Sequence, residues 1–179
     1  MTKAEQREFV KEKLIKLSDE EKLLHDKKIR EEVLNLLMPL KVKSVFSFLS
    51  QRFEPDTIFI IAELLRQGIK IALPKCVDDT MLAVAYDENC ALKRGQFGII
   101  EPDSQKQISA VDAVIVPLVA FDKNLNRLGR GKGFYDRYLK NNNAIKIGVA
   151  YSVQEIDCVV TNQFDVKLDF VVTENKIFS

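Results

Sequence analysis

Arg127, Arg130, Lys132 and Arg137 crowd four cations around Gly129, Gly131 and Gly133, and the acid Asp136 sits among them. Glycines let a backbone bend and approach a ligand closely, so that several N–H groups can converge on one anion. With cations beside them, such a turn suits phosphate. An acid among bases is explained by a hard metal ion that travels with phosphate oxygens. The spacing excludes two common phosphate loops. A Walker loop needs a hydroxyl after its lysine, and Lys132 is followed by Gly133; a dinucleotide fingerprint is G-x-G-x-x-G, and this is G-x-G-x-G. By composition alone, a solvated basic loop is an equal alternative.

The turn needs elements to hold it. Val111-Asp112-Ala113-Val114-Ile115-Val116 is an apolar run of strand length that stops at Pro117, as expected of a strand buried on both faces. After the turn, Phe134, Tyr135, Tyr138 and Leu139 fall at helix-face spacing, so the turn feeds a helix whose N-terminus adds positive potential. Upstream, Thr2-Lys3-Ala4-Glu5 and Ser18-Asp19-Glu20-Glu21 are capping boxes that open two helices, the second ending near Leu37, before Pro39. A strand at 44–49, a helix at about 57–67 stopped by Gly68, and a strand at 69–74 make a β-α-β unit. Its loop from Leu49 to Glu54 therefore lies at a strand's C-terminal end, where open α/β sheets bind ligands. Further strands are expected at 81–86 and 145–151, and residues 103–109 read as an exposed polar connection. No repeat or linker divides the chain, so residues 1–179 are expected to form one α/β domain with a largely parallel sheet.

Composition narrows the classes of function. The chain has 179 residues, enough for a substantial core, 46% of them hydrophobic, and a net charge of +1. Without a global field to recruit nucleic acid or a membrane surface, attraction for anions must be local. Cys76, Cys90 and Cys158 are odd in number and lack metal spacing, which suits reduced thiols in a cytoplasmic protein. The charged start is neither a signal nor a transit peptide, and no apolar run has membrane-spanning length. His25, the one histidine, lies among charged residues and reads as a surface side chain.

The string Arg127-Leu128-Gly129-Arg130-Gly131-Lys132-Gly133-Phe134-Tyr135-Asp136 resembles the R-L-G-x-G-x-G-[YF]-Y-D signature of the 5-formyltetrahydrofolate cyclo-ligase family. That family precedes it with V-P-x-x-x-F-D, here Val116-Pro117-Leu118-Val119-Ala120-Phe121-Asp122. Gly95-Gln96-Phe97-Gly98-Ile99-Ile100-Glu101-Pro102 is similar to its G-x-[FY]-G-I-x-E-P segment, Gln154 matches a family glutamine, and residues 165–174 resemble its terminal segment. One departure is Phe164, where the family usually has histidine.

The resemblance implies a three-layer αβα sandwich and the ATP-dependent closure of 5-formyltetrahydrofolate to 5,10-methenyltetrahydrofolate, with Mg2+ as cofactor and with ADP and phosphate released. It implies that Lys3 and Arg7 reach the ATP phosphates from the first helix, although by pattern alone such a pair is a solvated helix face. It implies ATP binding along Arg127, Leu128, Gly129, Arg130, Gly131, Lys132, Gly133, Phe134 and Tyr135, with Arg130 and Lys132 catalytic. Leu49 and Glu54 would hold the folate together with residues 130–134. A carboxylate there is sensible, since a reduced pterin offers N–H donors. Asp169 would join Asp136 on magnesium. A cytoplasmic monomer with no nucleic-acid partner and no membrane association is expected. Two other readings of the residues stay open at this point. One is a sugar-phosphate isomerase or acyl-CoA-type transferase on a similar sheet; the other is a non-enzymatic phosphate- or RNA-binding module.

Overall fold

A computed structural model describes residues 1–95 and 98–179. Helices α1 (Lys3–Leu14) and α2 (Asp19–Leu37) open the chain, each with its expected capping box closed. Thr2 Oγ1 accepts the Glu5 N–H while the Glu5 carboxylate accepts the Thr2 N–H, and Ser18 and Glu21 repeat the exchange. Then come β1 (Ser44–Phe46), α3 (Ile58–Arg66) and β2 (Lys70–Val77), the expected β-α-β unit, with Gly68 at φ +77° ending the helix. β3 (Thr80–Tyr86), β4 (Leu92–Arg94) and β5 (Ile100–Pro102) follow. Gln96 and Phe97, in the glycine-flanked family segment, lie outside the described residues.

The second half contributes β6 (Ala113–Val116), the small hairpin β7 (Ala120–Phe121) and β8 (Arg127–Leu128), helix α4 (Phe134–Lys140), β9 (Ile145–Val149), β10 (Phe170–Val172) and β11 (Ile177–Phe178). Seven strands form the main sheet in the order β11-β10-β9-β6-β1-β2-β3. The five inner strands are parallel, and antiparallel β3 and β11 close the two edges.

Alternation along the inner strands sends side chains to two cores. Val45, Ala113, Ile115, Ile147 and Val172 pack with Val10, Leu14, Ile29, Val33, Ile60 and Leu64 of α1–α3. Phe46, Val114, Val116 and Val171 pack on the other face with Leu139 of α4. Helices therefore cover both faces, and the layers are αβα. This burial on both sides is why the strands read as apolar runs rather than as alternating ones.

β2 departs from the expected strand by continuing through Pro74 to Val77. β1 ends at Phe46, opposite Ala72, so beyond that point, among the described residues, β2 is paired with β3 alone. A proline on the vacated side costs no ladder bond. Two residues on, the Cys76 N–H finds a replacement acceptor in the buried Glu101 carboxylate, at 2.8 Å. Residues 103–109 are not a free connection either: Lys106 O accepts from Ala85 N and Ile108 N donates to Ala83 O, which lays the segment along β3.

Candidate active site at the glycine-rich turn

β6 ends in a loop whose shape is set by two buried polar side chains. Asp122 is fully buried and accepts from the backbone N–H groups of Asn124, Asn126 and Val159 and from Asn126 Nδ2. Gln154, also fully buried, donates to Leu118 O and Val119 O and accepts from Tyr151 N. These residues appear in the family-like strings, and their work is to aim the β7–β8 hairpin at the end of the sheet. The turn 129–133 then leaves β8 and enters α4. α4 has seven residues and no side-chain cap, so its dipole is smaller than a full helix would supply; the cations and the backbone of the turn carry the positive character.

α1 folds back over this turn, as the Lys3 and Arg7 assignment requires. Arg7 Nε donates to Gly129 O at 2.8 Å, and its Nη2 lies 3.2 Å from where a Cβ on Gly131 would sit. With φ at +101°, Gly131 also occupies backbone space that other residues reach only under strain. Lys3 Nζ meets Asp165 at 2.5 Å, and the buried Gln6 amide bonds Cys158 O and Val160 N. Phe164, the departure from the family, is exposed, and its N–H bonds Asn162 Oδ1.

The arginines of the turn diverge. Arg127 is buried and pairs inward with Asp136, whose carboxylate also accepts Val166 N–H. Leu128 is likewise core, so only its backbone can meet a ligand. Arg130 is half exposed and reaches across to the loop after β1, where it pairs with Glu54 at 2.7 Å and bonds Gln51 Oε1. Lys132 is exposed on the turn, and Phe134 is half-buried behind it. Arg137 turns back to Lys132 O and Asp79 O.

On the facing loop, Thr57 spends on Phe48 O the hydroxyl that would otherwise cap α3, which closes residues 48–57 into a compact bend. Leu49 is half-buried at its start, and Glu54 accepts Gln51 N–H at 2.9 Å. The Glu54 side chain is 7% exposed. Burial pushes its carboxyl above the ordinary glutamate value, with Arg130 and the Gln51 N–H pulling the other way.

Beneath this loop lies a polar network that the sequence reading missed. Tyr151 Oη donates to Asp26 Oδ1 at 2.8 Å, and Asp56 N–H donates to the same oxygen. His25 is not the surface residue expected: its Nδ1 is buried, 3.8 Å from the Glu174 carboxylate and beyond hydrogen-bond reach, while that carboxylate accepts Ser152 N–H. A charged stretch of α2 gave no sign of this, because Tyr151 and Glu174 are more than a hundred residues away.

The two proposed metal acids are held apart by different partners. Asp136 stands in the first turn of α4 with Arg127, whereas Asp169 accepts Lys146 N–H at 2.8 Å beside the first residues of β9. Among the described residues, no three His, Cys, Asp or Glu side chains gather as a metal cage. Magnesium commonly takes one or two carboxylates and fills its shell with phosphate oxygens and water, so Asp136 alone fits such an ion at the turn.

An αβα sheet with a basic glycine turn facing an acid-bearing loop defines a class, an α/β protein with a cleft between a cationic turn and a buried carboxylate. Residues 1–174 match the 5-formyltetrahydrofolate cyclo-ligase family, and the chain belongs to it. The 5-formyltetrahydrofolate cyclo-ligase of Haemophilus influenzae is 34% identical over 80% of this chain and 82% of its own length. That of Mycoplasma pneumoniae is 30% identical over 97% and 99%. The solved 5,10-methenyltetrahydrofolate synthetase of Aquifex aeolicus superposes with a TM-score of 0.87 at 35% identity, covering 99% of this chain and 92% of that one.

Proposed function

We propose that this protein closes 5-formyltetrahydrofolate to 5,10-methenyltetrahydrofolate at the expense of ATP. The observation that carries this reading is Arg130, a cation on the glycine turn whose partners, Glu54 and Gln51, lie on the opposite loop. One side chain thus belongs to both halves of the cleft, as a reaction that joins a phosphate to a folate demands. A formamide oxygen is a poor leaving group. In the proposed route it attacks the γ-phosphorus, and ADP departs. N10 then attacks the formyl carbon and loses its proton, and the formyl oxygen leaves within inorganic phosphate.

Phosphoryl transfer asks a protein mainly for alignment and charge stabilisation. Lys132 and Arg130 supply charge from the turn, and Arg7 is already fixed there by Gly129 O. Lys3 joins them once it leaves Asp165. Gly129, Gly131 and Gly133 keep the backbone low enough for close approach. Glu54 and Leu49 receive the pterin, the carboxylate accepting its N–H donors and exchanging Arg130 for them. Asp136 would hold a magnesium ion that neutralises charge on the phosphates; for Asp169 to reach the same ion it must release Lys146. No protein nucleophile is required, so the thiols Cys90 and Cys158 have no part in the reaction.

The deciding experiment uses substrate labelled at the formyl oxygen with a heavy isotope. The label should emerge in inorganic phosphate, in step with the coloured methenyl product, and only with the 5-formyl isomer. Label retained in folate or released as water overturns the phosphorylated-formyl route. Phosphate release without folate would make the protein an ordinary nucleotide hydrolase.

A further inference from the structure

Buried polar atoms nearly always have a partner, and each exception in a folded protein asks for a reason. One exception lies at the junction of the two loops. Tyr135 stands in the first turn of α4 with its ring stacked on Phe46, centroids 6.2 Å apart and planes 17° apart. The Arg127 guanidinium lies over the same ring, 6.0 Å from its centroid. The ring is thereby fixed, yet its hydroxyl oxygen is buried with no hydrogen-bond partner, as is the neighbouring Arg127 Nε. Packing alone would be served equally by phenylalanine, the residue already present at position 134. The charged groups that bear on the hydroxyl come from both halves of the cleft: Glu54 from the folate side and Arg127 from the turn.

We propose that the Tyr135 hydroxyl is a catalytic hydrogen-bond donor, aimed at the oxygen that the two substrates come to share, the formyl oxygen as it takes up the phosphoryl group. The proposal rests on the ring-closure reading above and goes beyond it, since the family resemblance places Tyr135 only along the nucleotide. In the free protein the donor is held in place without a partner; in the complex its acceptor arrives with the substrate. Such preorganisation is effective because nothing must reorganise when charge shifts in the transition state. The proposed role is that of a fixed donor, giving a hydrogen bond without giving up its proton.

Tyr135→Phe removes the hydroxyl and keeps the ring. Methenyl formation should slow by about 10²-fold or more in kcat, with KM for ATP and for folate each within about threefold of wild type. The thermal midpoint should stay level or rise, because a stranded polar atom has gone. The pH dependence of the rate should match that of wild type. A kcat within about threefold of wild type overturns the proposal, since removing an oxyanion donor costs far more. A rate loss matched by a fall in thermal midpoint makes the hydroxyl structural and overturns it too. A changed pH dependence would make Tyr135 an acid or base and overturn its role as a fixed donor. Should the wild-type protein form no methenyl product, the ring-closure reading fails first, and separately.

Discussion

Two arginines of one turn, three residues apart, meet two carboxylates in opposite circumstances. Arg127 and Asp136 are both on the strand–turn–helix segment, and the arginine is 3% exposed. Arg130 and Glu54 belong to facing loops, and there the arginine is 50% exposed while the acid is buried. The first pair is a lock that shapes the turn. The second is a latch across the cleft, with one member free to swing into solvent when a ligand takes its place. Sequence spacing gives both arginines the same standing; burial separates them.

The sharpest way to break this contrast is Arg127→Ala. Removing one partner of a buried pair typically costs about 3–5 kcal/mol, so urea denaturation should show a large loss of stability. Lysine at this position should not restore it, since it lacks the planar fork. A variant as stable as wild type would end the description of this pair as a lock. Arg130→Ala should do the reverse. Its own side chain is half exposed, so the fold should survive with a smaller loss of stability than Arg127→Ala gives, while turnover falls.

Lys132→Ala tests the exposed side of the turn further. Losing a charge donor to a transition state costs about 2.7–4 kcal/mol, a rate drop of about 10²–10³, with little change in melting. Near-normal turnover in the folded variant would remove Lys132 from the phosphate site.

Glu54 offers a pH handle on the latch. Its folded carboxyl titrates above its unfolded value. Its contribution to stability is therefore complete below the unfolded value and lost as pH rises through the folded one. Glu54→Gln should flatten that part of the stability profile, seen in denaturation midpoints from acid to neutral pH. The same substitution should weaken folate binding while leaving ATP binding intact. Equal loss of both would point to collapse of the loop.

The two proposed metal acids should differ, with the smaller effect at Asp169. Asp136→Asn should raise the magnesium concentration for half-maximal activity and lower stability as well, because Arg127 loses its partner. Asp169→Asn should shift magnesium dependence only if that residue leaves Lys146 in the complex. An unchanged magnesium curve in the Asp169→Asn variant would leave Asp169 as a tether for the start of β9.

Local grammar was the most legible part of the chain. Both capping boxes, the Gly68 stop and the strand–turn–helix around the glycines follow from rules that act over a few residues, and each is present. What stayed hidden depends on partners distant in sequence. Pro74 reads as a strand end because the pattern cannot show that β1 stops early and leaves that edge vacant. His25 reads as surface because Glu174 is invisible from α2. Arg127 and Arg130 look alike until the fold buries one. The sequence marks Tyr135 only as one letter of the family string; that its hydroxyl has work to do is signalled by an unpartnered oxygen in the folded chain.

The stitching of α1 to residues 158–165 has a consequence for how the protein is made. Gln6 bonds Cys158 O across 152 residues, and Asp165 lies 162 residues beyond Lys3. A ribosome adding roughly 5–20 residues per second needs about 8–30 s to cover the shorter of these gaps. Through that interval α1 has been synthesised and its docking surface has not. Contacts of such long sequence separation are also the slowest to form once the chain is whole. Helix α1 thus cannot dock until residues 158–165 have left the ribosome, and until then it cannot be held in place over the glycine turn.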